Sequence, residues 1–238
     1  MNTSLLLASS LAETIAKAFK SVTVADYTEA FLATMCITLT STLIAYLFGI
    51  PLGVLLYGTS EEKMFLNRPV NKILGVIVNV FRSVPFIILL VMIQPVAKLI
   101  VGKTIGNAAF IFYLTVAAIP FIARMIETSL HEVDKGIIEA AQSMGASNFK
   151  IIFKVLIPEA KPSLLFGAAI VFATILGYTP MAYLIAGDGL GALAIQYGLY
   201  RFNPTVMYIS SILLIILVQI MQEAFGFLAR KTDRRIAK

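Results

Sequence analysis

The chain has 238 residues, of which 59% are hydrophobic and 13% charged, with a formal net charge of +6; its mean hydropathy is +0.89. Soluble domains carry about 25% charged residues, so this composition excludes an ordinary soluble enzyme and points to a membrane protein. One cysteine, Cys36, excludes an internal disulfide.

Residues 1–28 form a separate amphipathic segment. Ala8, Leu11, Ala12, Ile15, Ala16 and Phe19 recur at helical spacing, with Ser9, Ser10, Glu13, Lys17 and Lys20 opposite. The segment lacks a basic leader, and its apolar run is too short for a signal peptide. A helix on the outer membrane surface and a frayed tail both fit it. After it, the runs 30–60, 104–123, 162–187 and 202–222 contain no Asp, Glu, Lys or Arg, and the run 73–97 is broken only by Arg82. A hydrocarbon core of about 30 Å needs about 20 apolar residues as helix, and lipid leaves no partner for exposed backbone groups. The prediction is an all-α membrane protein with five transmembrane helices, in a transmembrane domain over 29–230 followed by a basic tail at 231–238.

Charge orients these helices. Alternate segments between them hold twelve Lys and Arg on one side and five on the other. The positive-inside rule puts the richer side in the cytoplasm. The N-terminus is therefore predicted outside, the C-terminus inside, and the segment at about 131–161 inside. The basic tail reads as a lipid-surface contact, not a nucleic-acid site.

Arg82 and Arg124 fall within predicted spans, in their cytoplasmic halves. An arginine at the bilayer centre costs about 2.5–3.5 kcal/mol, so each must snorkel or pair. Prolines punctuate the helices: Pro51, Pro85, Pro120 and Pro180. Proline removes a backbone hydrogen bond and kinks a helix. Arg82, Pro85, Pro120 and Arg124 are candidates for a gate or hinge, with helix-end anchoring and static packing as the alternatives. Tyr178, Thr179 and Met181, at the kink in the fourth helix, are candidates for a substrate path or for packing.

Chemistry is absent from the pattern. His131 is the only histidine, no phosphate-binding G-x-x-x-x-G-K-[ST] loop occurs, and no nucleophile triad can form. No catalytic residue, metal or cofactor is expected in this chain. Channel rings of charge and the repeats and ion site of a secondary transporter are not visible, although those two classes remain the competing readings.

One segment stands out. Glu139-Ala140-Ala141-Gln142-Ser143-Met144-Gly145 is a short polar stretch between apolar runs, followed nine residues later by Val155-Leu156-Ile157-Pro158. It resembles the EAA loop of ABC-importer permeases, with Val155 and Ile157 in place of the usual Ile and Leu. Glycine at 145 reaches the left-handed region that ends helices. Phe81-Arg82-Ser83-Val84-Pro85-Phe86, Phe121-Ile122-Ala123-Arg124-Met125, Pro158-Glu159-Ala160, Gly189-Leu190-Gly191 and Gln196-Tyr197-Gly198 accompany it in one order. Together they resemble the permeases of bacterial methionine ABC importers, from about Gly49 to Glu223. Asp134-Lys135-Gly136 stands where that family often has proline.

The resemblance implies a mechanism. Two copies of the chain would form the pathway, each bound by one ATPase subunit that holds ATP and Mg, with an extracytoplasmic receptor delivering a small amino acid. Glu139, Ala140, Ala141, Ser143, Met144, Gly145 and Ala146 would form the ATPase-coupling segment. Ala140 and Ala141 would sink into a groove on the ATPase, and Ser147 would cap a second helix running through Lys154. Methionine, other small apolar amino acids and short peptides remain open as substrates.

Overall fold

The structure, a computed structural model, describes residues 21–60 and 64–233. The amphipathic pattern of residues 1–20 and the tail at 234–238 lie outside the described residues. All described regular structure is helical.

Helix α1 spans Val24–Ser60. It starts on a reciprocal cap: Asp26 N donates to Thr23 Oγ1 at 3.3 Å, and Thr23 N donates to the Asp26 carboxylate at 2.7 Å. The helix therefore begins ahead of the uncharged run, within the segment assigned to the amphipathic N-terminus. Helix α2 spans Arg68–Ser83, and the Asn67 side chain accepts from Val70 N at its start.

The predicted second span is not one helix. After α2 the chain turns by 106° into α3, Phe86–Met92, and then into α4, Gln94–Val101, which ends on Gly102 at φ +77°. The cause is local. Pro85 has no N–H, and the residue before proline is pushed out of the helical region; Val84 is extended at φ −78°, ψ 123°. The expected kink is a full break. Pro120, by contrast, sits inside an uninterrupted α5, Asn107–His131.

A short α6, Lys135–Ser143, precedes the long α7, Asn148–Ile185. Helix α7 has a π-helical stretch at Ile152–Leu156 and tightens to a 3₁₀ end at Thr179–Ile185. A helical turn, α8, at Leu190–Leu193 continues π-helically to Tyr200, and α9 covers Pro204–Thr232. Among the described residues four helices, α1, α5, α7 and α9, are long and apolar enough to cross a membrane, and the broken α2–α3 pair makes a fifth span if it crosses as one.

Helix α5 is the centre of the bundle. Its Phe110, Tyr113, Leu114 and Ile122 are fully buried, among Ile37, Ala45 and Tyr57 of α1 and Val171 and Ile175 of α7. Small residues set the α1–α5 approach. A Cβ on Gly49 would lie 2.6 Å from Ile122 Cγ2, and one on Gly53 would lie 2.6 Å from the Ala123 carbonyl oxygen. The four-residue spacing of Gly49 and Gly53 is the small-xxx-small pattern that lets membrane helices meet closely. Helix α9 packs Leu217 against Phe172 and Leu176 of α7. Large apolar side chains such as Leu43, Leu47, Ile170, Ile215 and Ile220 stay exposed, as lipid-facing surfaces require.

Candidate coupling turn and translocation path

The candidate coupling segment is built from backbone chemistry. The Asp134 carboxylate accepts from Gly136 N at 2.7 Å and starts α6, so Asp134 caps the helix where the resembling family often has proline. Gly145, at φ +76°, ends it. Gly145 N donates to the Gln142 carbonyl at 2.9 Å and Ala146 N to the Ala141 carbonyl at 3.1 Å, the paired bonds of a glycine-ended helix. A Cβ on Gly145 would touch nothing within 4 Å; glycine is needed there for its φ, not for space.

The two alanines divide. Ile138 and Ala141, three apart, face inward and are buried, and Ala141 belongs to the chain's own core. Glu139, Ala140 and Ser143 are exposed, the Ser143 hydroxyl donating to the Glu139 carbonyl at 2.9 Å. Met144 is 81% exposed. Ala140 alone therefore supplies the bare outer position expected of both, because a helix this short has room for one inward and one outward stripe. Ala146 is half-buried against the core. Ser147 holds the cap position of α7 in extended backbone, but its side chain makes no capping bond, and the helix after it runs on to Ile185 instead of stopping near Lys154. Sequence reasoning missed the exposed Phe149 and Phe153, whose ring centroids lie 4.5 Å apart; two aromatic residues four apart on a polar segment were the available signal.

A second constellation surrounds the break at Pro85. A cavity of about 270 Å³ opens between the α2–α3 break, α5 and α7. Its walls include Phe86, Leu89, Leu114, Phe121, Ile175 and Tyr178. Phe86 and Tyr178 stack, with ring centroids 4.6 Å apart and planes 14° from parallel. Tyr178 thus lines the cavity. Thr179 is buried, with its hydroxyl donating to the Leu176 carbonyl at 2.7 Å, and Met181 packs on the core; neither lines this cavity. A more open groove of about 310 Å³ adjoins it, lined by residues that include Arg124, Met125, Glu132 and Phe166. Arg82 and Phe121 line both spaces.

The two arginines differ. Arg124 Nη1 pairs with Glu127 Oε2 at 2.6 Å, and its Nη2 donates to Asn79 Oδ1 at 3.0 Å. It neutralises a buried carboxylate and ties α5 to α2. Arg82 sits over the Phe121 ring at 5.9 Å and has no carboxylate partner among the described residues. Asn79 was invisible to sequence reasoning because nothing local marks it as a partner for a residue 45 positions away.

At the opposite end of the bundle the glycine-rich loop is clamped. Asp188 N donates to Asn107 Oδ1 at 2.7 Å, Asn107 Nδ2 donates to Asp188 Oδ2 at 3.0 Å, and Leu190 N donates to the Thr34 hydroxyl at 2.8 Å. Thr34 and Asn107 fix the turn at 187–191 to α1 and α5.

Long apolar helices packed around α5, a broken helix pair beside them with a cavity at its break, and a glycine-ended surface helix define a multi-pass membrane transport component. Residues 49–232 match the family described as the binding-protein-dependent transport system inner membrane component, and the chain belongs to that family. It is 49% identical over 192 residues to a probable D-methionine transport system permease protein MetI of Vibrio cholerae, covering 81% of this chain and 85% of the relative. It is 39% identical to the methionine import system permease protein MetP of Bacillus subtilis, covering 76% and 82%. Among solved structures, the MetNI methionine ABC transporter in inward-facing conformations matches with a TM-score of 0.85 and 41% identity, over 89% of this chain and 98% of that one. An amino acid ABC transporter at 17% identity and a TM-score of 0.70 shares the fold.

Proposed function

We propose that this chain is the permease subunit of an ATP-driven importer that carries methionine or a similar small apolar amino acid by alternating access. The observation that carries the reading is the likeness to D-methionine permeases over four-fifths of the chain. Two copies form the pathway, since one bundle this small encloses no continuous path for an amino acid and a twofold pair is the common solution. Two ATPase subunits hold ATP and Mg and dock on the α6–Gly145 segment, and an extracytoplasmic receptor delivers substrate. The N-terminus is outside and the C-terminus inside, as the twelve-to-five distribution of cations requires. The Gly145 end is therefore cytoplasmic.

The geometry supports each step. Helix α6 is joined through a rigid hydrogen-bonded turn to the start of α7, which continues into the bundle as far as the Tyr178 region. A push on α6 is thus delivered along one 38-residue helix to the cavity. The break at Pro85 supplies a hinge beside it, and Arg124, held by Glu127 and Asn79, keeps α5 and α2 moving together. This is rigid-body switching about packed interfaces. Pro120 acts as packing within α5. A net-neutral zwitterion needs little fixed charge along its way, and the cavity wall has one cation and otherwise apolar or neutral groups. Strongly cationic or phosphorylated solutes would need opposite charges.

Proteoliposomes holding this chain with its ATPase and receptor test the assignment. ATP-driven accumulation of labelled methionine, with little of arginine or a phosphorylated sugar, is expected. Accumulation of either of those with none of methionine would overturn the substrate while leaving the importer standing.

A further inference from the structure

Arg82 occupies an unusual electrostatic position. It lies in the last turn of α2, inside a predicted span, at the junction of the apolar cavity and the open groove. An arginine at membrane depth is normally paired or lines a water-filled path. Arg124, one helix away, is compensated by Glu127 and Asn79. Among the described residues Arg82 has only the face of Phe121, at 5.9 Å, which is the outer limit of a useful cation–π contact of about 6 Å. The cavity wall offers no other cation and no carboxylate. Beyond Arg82 the groove adds Arg124, already held by Glu127 and Asn79, and Glu132, an acceptor for an ammonium.

We propose that Arg82 is the carboxylate-binding residue of an exit subsite: it takes the α-carboxylate of the transported amino acid at the inner mouth of the cavity, while the apolar side chain lies against Phe86, Phe121 and Tyr178. The proposal rests on the importer reading given above. A guanidinium presents a planar pair of donors that fits a carboxylate in two parallel hydrogen bonds. A cavity of about 270 Å³ stands just under the range of about 300–1,000 Å³ typical of small-ligand sites, which suits a small amino acid and disfavours a peptide. One cation also sets a one-anion rule, because a second carboxylate on the ligand would meet an apolar wall. A lipid phosphate offers the same anionic oxygens, and the test separates the two sources.

The complex of two copies of this chain with its ATPase subunits, in phosphatidylcholine nanodiscs without receptor, is photolabelled with a methionine analogue bearing a side-chain diazirine. Label is expected on peptides that hold Phe121 or Tyr178. Methionine and N-acetylmethionine, which keep the carboxylate, should suppress it, and methioninamide should need a concentration roughly tenfold or more higher, as the loss of a charge-assisted bond implies. Arg82→Gln should reduce labelling by a similar factor, and Arg82→Lys should retain part of it. Competition by methioninamide as strong as by methionine, label absent from both peptides, or label displaced by added phosphatidylglycerol would each overturn the subsite, the last assigning Arg82 to lipid phosphate. ATP-driven methionine uptake by the same complex with its receptor distinguishes the levels. Uptake with any of those three results removes Arg82 alone, whereas no uptake removes the importer reading and the subsite with it.

Discussion

At the scale of single residues, Gly145 and Arg124 show two ways in which one position shapes the helices around it. Gly145 holds φ +76° with open space around its Cα. A side chain would fit there, but a non-glycine residue in the left-handed region costs roughly 1–2 kcal/mol, and a β-branched one more. Gly145→Val is therefore expected to unseat the turn between α6 and α7 and abolish uptake while membrane insertion persists. Gly145→Asn should retain part of the uptake, since asparagine tolerates this region better. Uptake assays together with co-purification of the ATPase check this, and normal values for the valine variant would remove Gly145 from coupling. Arg124 works through charge: Glu127 is buried and its carboxylate is held by the guanidinium at 2.6 Å. The pair lies within α5, and the same guanidinium joins α5 to α2 through Asn79, whereas Arg82 has no acidic partner among the described residues.

At the scale of elements, the same residue type does different work in different neighbourhoods. At Pro85 the span breaks: Val84 before it is extended, and the chain leaves in a direction turned by 106°. Pro120 leaves α5 continuous because that helix is buried between α1 and α7, which hold it in line. Glycines divide in the same way. Gly53 exists for close approach, and a larger side chain must push α1 off the Ala123 carbonyl at 2.6 Å. Overpacking of this kind costs about 1–3 kcal/mol, so Gly53→Leu is expected to lower the melting temperature of the purified protein by roughly 2–12 °C, at about 2–4 °C per kcal/mol. Gly177 is the control: a Cβ there meets nothing within 4 Å, and Gly177→Ala should hold or raise the melting temperature, because alanine is favoured over helical glycine by about 0.5–1 kcal/mol. Thermal unfolding followed in detergent distinguishes the two, and an unchanged Gly53→Leu would show that α1 and α5 do not pack this closely.

At the scale of the whole molecule, orientation is the property on which coupling depends. Lys103 and the Asp188 loop lie beyond one end of the long helices, and Lys150 lies in the first turn of α7, at the other. In a Cys36→Ser background, Lys103→Cys should react with an impermeant thiol reagent in intact cells, and Lys150→Cys should react only after the membrane is opened. The reverse pattern would invert the topology and put α6 out of reach of an ATPase.

Much of this architecture was legible in the chain itself. Uncharged runs longer than a bilayer needs fixed four of the spans, because a desolvated backbone has no choice but helix. The Gly145 turn was equally local: a polar stretch, a glycine and a following helix leave few conformations. What the linear pattern could not decide was anything that depends on a neighbour distant in sequence. It read Ala140 and Ala141 as equivalent, and only packing turned Ala141 into the core. It read Pro85 as a kink, and the break appeared once α2, α3 and α5 were placed. It treated Arg82 and Arg124 alike, although Asn79 satisfies one of them and not the other. It grouped Tyr178, Thr179 and Met181, of which Tyr178 reaches the cavity. The physical reason is common to all four cases. Backbone desolvation and φ restrictions act on a residue through its immediate neighbours, whereas burial, ion pairing and cavity lining are set by side chains from other helices that meet it only in the folded bundle.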